Sequence, residues 1–168
     1  MPVGGLLVIF VCTSNTCRSP MAMKFAESWL ADRNTSSSGR FISRGLTDAY
    51  EAPGSPASSN GVEVLLNDFS LDLSQHRSAL LTATEVDSAT LIVGVTRSHV
   101  AAVLDRFPSS KGKVFALTRD VPDPWHQPVH VYRQCAHTMK PLVYEILTEK
   151  LGASNTATTE SNASCQRK

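Results

Sequence analysis

Two spacings of apolar residues alternate along the chain. Leu6–Val11 and Ala89–Val95 are almost unbroken apolar runs, the pattern of short strands covered on both faces of a parallel sheet. Arg40–Ser43 and Lys113–Leu117 supply two further strand candidates. Between these runs the period changes. Ala22, Phe25, Ala26, Trp29 and Leu30 fall on one face of a helix that opens at Ser19-Pro20, a serine suited to capping and a proline suited to the first turn. Ser55-Pro56 caps a second helix, whose Ala57, Gly61, Val64 and Leu65 share a face. Thr96 caps a third, with Val100, Val103, Leu104 and Phe107 on its stripe. Val131, Cys135, Met139, Leu142 and Ile146 mark a last helix that stops at Gly152, and Pro141 inside it predicts a kink. This alternation predicts an α/β fold of three layers: a doubly wound, four-stranded parallel sheet with helices on both faces. The loop after the first strand then sits at the carboxyl edge of the sheet, where such folds bind ligands.

Composition narrows the picture. A chain of 168 residues suits one domain, read here as residues 1–152. Residues 153–168 turn to Ser, Thr, Asn and Ala and read as a disordered tail. A net charge of +1 argues against nucleic-acid binding and against a polybasic membrane anchor. No apolar run approaches the roughly 20 residues that span a bilayer. Val3–Val11 lacks a basic flank and leads straight into the loop, so it does not read as a signal peptide. Four cysteines, two of them in one loop, do not form the framework of a secreted disulfide protein, and a cytoplasmic monomer is expected.

The chemistry concentrates in Val8-Ile9-Phe10-Val11-Cys12-Thr13-Ser14-Asn15-Thr16-Cys17-Arg18-Ser19-Pro20. A cysteine and an arginine here flank a tight loop between a strand and a helix N-terminus. Backbone N–H groups and the positive helix end favour a phosphate dianion, and Arg18 can grip two of its oxygens with a planar fork. The same field favours Cys12 as thiolate, the nucleophilic form. Such a loop suits phosphoryl transfer through a phosphocysteine. A cysteine and an arginine at this spacing alone are weak evidence, and it is the strand before them and the helix after them that give the pattern weight.

The loop Cys-Thr-Ser-Asn-Thr-Cys-Arg-Ser-Pro resembles the phosphate-binding loop of the low-molecular-weight protein phosphatases, and Asp120-Val121-Pro122-Asp123-Pro124-Trp125 resembles that family's Asp-Pro-Tyr segment. The likeness runs over about residues 6 to 151. It implies that Cys12 is the nucleophile, Arg18 the phosphate ligand and Asp123 the general acid, with Asp120 the competing candidate. It also implies that Thr13, Ser14, Asn15, Thr16 and Cys17 complete the loop and that Asn15 holds its left-handed turn. Ser19 would hydrogen-bond the thiolate, with Ser43 and His76 bracing both. Cys17 either fills the loop interior or forms a reversible disulfide with Cys12. No cofactor and no metal is implied. The histidines at 76, 99, 126, 130 and 137 show no ligand pattern, Cys135 reads as core, and Cys165 sits in the tail.

Substrate choice is where the sequence pulls in two directions. Tyr50 and Trp125, the latter in place of the family's tyrosine, are candidate aromatic walls for a phosphotyrosine ring. Thr16 stands where the tyrosine-directed branch carries an aliphatic residue, and it resembles the branch that acts on phosphoarginine. Phosphorylated proteins are the expected partners, with phosphotyrosine as the leading substrate and protein-arginine phosphatase as the alternative. Thioredoxin-coupled arsenate reductase ranks lower, because residues 18 to 134 contain no relay cysteine. A non-catalytic phosphoprotein-binding module ranks lower too, because Cys12, Arg18 and Asp123 are all present. His126, beside Trp125, has no assigned role.

Overall fold

The computed structural model describes residues 5–34 and 38–152. Strand β1 (Leu6–Cys12) is interior to the sheet, as its continuous apolar run requires. It pairs in parallel with β2 (Gly39–Gly45) on one side and β3 (Leu91–Gly94) on the other, and β3 pairs in parallel with β4 (Val114–Ala116). The order β2-β1-β3-β4 reverses direction between β1 and β3. The crevice beyond the carboxyl ends of those two strands is therefore the switch point at which doubly wound sheets take their ligands.

Alternation along β1 builds both layers of core. Val8, Phe10 and Cys12 join the cluster containing Phe25 and Trp29 of α1 (Arg18–Asp32), Val64 and Leu65 of α2 (Ser59–Phe69), and Met139 and Ile146 of α5 (Val129–Leu151). Leu7, Ile9 and Val11 point the other way, to Val86 of α3 (Ala83–Ser88) and Val103 of α4 (Arg97–Arg106). Phe10, Ile9 and Phe25 are wholly buried, each contributing about 1.5–3 kcal/mol of transfer free energy. No described helix is long and apolar enough to cross a membrane.

Two helix starts differ from those expected. Helix α1 begins at Arg18, with Cys17 at its cap and no side-chain cap bond, so Ser19 lies inside the first turn. Its hydroxyl is freed for the loop. Helix α2 starts at Ser59 after Ser58, not at Ser55-Pro56, because Pro56 is engaged in an antiparallel bridge to Arg77. Helix α3 was not anticipated. It is a single short segment with one buried residue, Val86, too brief to show a periodic stripe, and its Thr82–Glu85 capping box was the available signal. Helix α5 remains one helix through Pro141, although the ring removes the donor for the His137 carbonyl. The cap at Thr96 is as expected: its Oγ1 accepts the His99 backbone N–H. The tail from 153 onward lies outside the described residues.

Candidate active site

The loop between β1 and α1 doubles back so tightly that Asn15 takes a left-handed backbone, φ 61°. Asparagine tolerates this better than most residues, and here its side chain is also fully used. Asn15 Oδ1 accepts the Ala79 N–H at 3.0 Å, which fixes the amide so that Nδ2 donates to Ser19 Oγ and Ser43 Oγ, both at 2.9 Å. His76 Nε2 lies 2.7 Å from the Asn15 carbonyl. A carbonyl can only accept, so Nε2 carries the proton. Burial moves the His76 pKa below the ordinary histidine value, against the opposing pull of that carbonyl.

This bracing sets the direction of the next contact. Ser19 Oγ accepts from Asn15, so its own proton points onward, toward Cys12 Sγ at 2.9 Å or the Arg44 carbonyl at 3.4 Å. A thiolate at Cys12 is the stronger acceptor. Gly45 makes the approach of loop and sheet possible. A Cβ there would lie 3.1 Å from both the Ser14 carbonyl carbon and the Thr13 oxygen.

Arg18 is buried, donates from Nη1 to the Val121 carbonyl at 3.0 Å, and lies 3.4 Å from Asp123 Oδ2 through Nη2. Its Nε is buried and finds no hydrogen-bond partner among the described residues. A buried guanidinium N–H left free beside a cavity is a donor available to an incoming oxyanion. Asp123 is half-exposed, and its Oδ1 accepts the Trp125 N–H at 3.1 Å. A cavity of about 270 Å³ is lined by Cys12, Thr13, Ser14, Thr16, Cys17, Arg18, Tyr50, Asp123 and Trp125. The Tyr50 and Trp125 rings in its lining meet edge to face, 5.7 Å between centroids, and the His126 ring meets Trp125 edge to face at 3.9 Å.

The structure thus brings Cys12, Arg18 and Asp123 to one cavity, with Asn15, Ser19, Ser43 and His76 bonded beneath the loop. Asp120 does not line that cavity; its Oδ1 accepts the Arg97 backbone N–H at 2.9 Å. Cys17 also lines the cavity, and its sulfur is in polar contact with Ser58 Oγ at 2.9 Å and Tyr132 Oη at 3.3 Å. Burial pushes its thiol pKa up.

A comparison with protein families matches residues 7–156 to the low molecular weight phosphotyrosine protein phosphatase model. The chain belongs to that family. It is a protein phosphatase, a hydrolase whose substrates are phosphorylated proteins. It is 34% identical over 152 residues to a protein-arginine-phosphatase of Geobacillus stearothermophilus, covering 86% of this chain and 95% of that one. Its fold matches a low molecular weight protein tyrosine phosphatase from T. tengcongensis with a TM-score of 0.78 and 30% identity, over 86% of this chain and 99% of that one. It likewise matches a mutant of the YwlE arginine phosphatase with a phosphorylated active site serine, at TM-score 0.78 and 28% identity, over 89% and 98% of the two chains.

One residue of this phosphatase site escaped the sequence. His99, at the start of α4, is buried with Nε2 3.0 Å from Thr13 Oγ1 and Nδ1 2.8 Å from Thr96 Oγ1. It gave no local signal: the partner it touches in the loop is 86 residues away.

Proposed function

We propose that this phosphatase hydrolyses phosphotyrosine in proteins through a phosphocysteine intermediate, with Cys12 as nucleophile, Arg18 as phosphate ligand and Asp123 as general acid and base. The observation that carries the reading is the lining of the cavity, where Tyr50 and Trp125 supply aromatic surface beside Cys12, Arg18 and Asp123. A phenyl ring packs there while its phosphate reaches the loop. The Cys12 thiolate attacks phosphorus in line, the bond to the phenol oxygen breaks, and the Asp123 carboxyl gives that oxygen its proton. The Asp123 carboxylate then takes a proton from the water that attacks phosphocysteine. The sulfur–phosphorus bond breaks, inorganic phosphate leaves, and the thiolate returns to the Ser19 hydroxyl. The phosphorylated serine in the related arginine phosphatase supports a covalent step in such a loop.

A second reading, protein-arginine phosphatase, is favoured by one observation. Thr16 lines the cavity with a hydroxyl in place of a hydrocarbon, and the Geobacillus relative carries that name. Trp125 could then hold a guanidinium face by cation–π contact. Either reading suits a reducing cytoplasm that keeps Cys12 free.

Steady-state turnover of a phosphotyrosine peptide and a phosphoarginine peptide, with Cys12→Ser as blank, tests both. Preference for phosphotyrosine supports the lead; preference for phosphoarginine moves the chain to the second reading. Turnover that does not depend on Cys12 overturns the mechanism. Thr16→Ile is expected to raise phosphotyrosine turnover relative to phosphoarginine; an unchanged ratio removes Thr16 as the filter.

A further inference from the structure

The first turn of α4 is bonded to both halves of the site. Arg97 N–H holds Asp120 in the segment that carries Asp123, and His99 reaches Thr13 in the phosphate loop. The Thr13 carbonyl is already occupied by the Leu46 and Thr47 N–H groups, at 2.8 and 3.1 Å, so its backbone is pinned. The freedom left to Thr13 is the direction of its hydroxyl proton, and that hydroxyl belongs to a residue lining the cavity.

Counting donors and acceptors leaves two directions. Thr96 Oγ1 accepts the His99 backbone N–H at 3.3 Å and lies 2.8 Å from both His99 Nδ1 and Ser98 Oγ. Two polarities satisfy this chain. In one, the Ser98 hydroxyl donates to Thr96, the Thr96 hydroxyl donates to Nδ1, and Nε2–H donates to Thr13 Oγ1. The Thr13 proton is then free to point into the cavity. In the other, every arrow reverses and Thr13 turns a lone pair toward the ligand. A phosphate dianion is repelled by that lone pair and attracted by the hydroxyl proton, so an occupied site selects the first.

We propose that His99 is a positioning residue of the phosphate site: by donating from Nε2 to Thr13 Oγ1, it turns the Thr13 hydroxyl into a hydrogen-bond donor to the bound phosphoryl group. The arrangement works with a neutral imidazole. Burial, followed by the Arg18 charge, lowers the His99 pKa to about 4, against the opposing charges of Asp123 and Asp120. At neutral pH one ring nitrogen therefore carries a proton and the other accepts, as the relay needs.

The inference rests on the phosphatase reading, and its test separates the two. Inorganic phosphate is titrated as a competitive inhibitor of the wild type, Thr13→Val, His99→Leu, His99→Gln and the Thr13→Val/His99→Leu double variant. One charge-assisted hydrogen bond lost predicts that Thr13→Val and His99→Leu each weaken phosphate about tenfold. The double variant is expected to be no weaker than either single one, because both remove the same donor. His99→Gln, which places an N–H near the position of Nε2, is expected to recover to within about threefold of wild type. Nitrogen NMR of the phosphate-saturated wild type is expected to show His99 protonated at Nε2. Unchanged phosphate affinity in Thr13→Val, additive losses, or a proton at Nδ1 would overturn the proposal. If His99→Leu does not fold, Thr13→Val and the NMR tautomer decide alone. A wild type that neither binds phosphate nor turns over phosphopeptide sinks the functional reading instead.

Discussion

Asn15 holds a left-handed turn that costs most residues about 1–2 kcal/mol, and its side chain makes three hydrogen bonds in the same position. Asn15→Ala removes all three while keeping the Cβ strain. At about 1 kcal/mol per net bond, a loss of about 2–3 kcal/mol in urea unfolding is expected, with at least a tenfold fall in kcat/KM. Asn15→Gly relieves the strain and should recover part of the stability but little of the rate. A rate that follows stability in both variants would show that Asn15 only holds the turn. Gly45 acts by what it lacks: Gly45→Ala puts a methyl 3.1 Å from loop backbone, and kcat/KM is expected to drop at least tenfold because the loop must shift. Wild-type kinetics for Gly45→Ala would mean the loop has slack. Residues 12 to 19 were legible in the sequence because they are contiguous and flanked by a strand and a helix. Ser43 and His76 came only through resemblance, and His99 through neither, since a contact closed by the fold leaves no trace in local spacing.

At the scale of elements, long apolar stripes are legible in the sequence and short pieces are not. Helices α1, α4 and α5 follow their apolar spacing, whereas α3 is too short for a period and α2 was moved by a pairing of Pro56 with Arg77 that no local rule contains. Helix α3 nonetheless supports the site. Its Glu85 takes Arg44 Nη2 at 2.7 Å, and the Arg44 carbonyl lies within reach of Ser19 Oγ. Burial pushes the Glu85 pKa up, but hydrogen bonds from Arg44 and from the Thr82 N–H outweigh it and leave the carboxyl below its ordinary value of 4.5. A carboxylate depressed in the folded state stabilises fully above that ordinary value, and the contribution fades as pH falls through the folded one. Urea midpoints followed down the acid limb should therefore fall less steeply for Glu85→Gln than for wild type, with the variant the less stable at neutral pH. Parallel curves would show that the pair contributes nothing to folding.

For the whole molecule, the fold gives the three described thiols different surroundings. Cys12, Cys17 and Cys135 are all buried and all free. Cys12 closes β1 at the switch point and lines the cavity, with Ser19 Oγ 2.9 Å from its sulfur. Cys17 lines the same cavity, yet its sulfur is engaged by Ser58 and Tyr132, and burial raises its pKa. Cys135 is a stripe residue of α5, and burial pushes it up to about 12. Thiolate is the form that alkylates, so one fold ranks three similar side chains by environment. Iodoacetamide at neutral pH is expected to modify Cys12 first among these three, with activity lost in step with that adduct. Inorganic phosphate should slow both by occupying the loop. Peptide mass spectrometry over the time course checks the order. Adducts on Cys17 or Cys135 appearing as fast as those on Cys12 would show that the cavity does not confer the selectivity argued from its position.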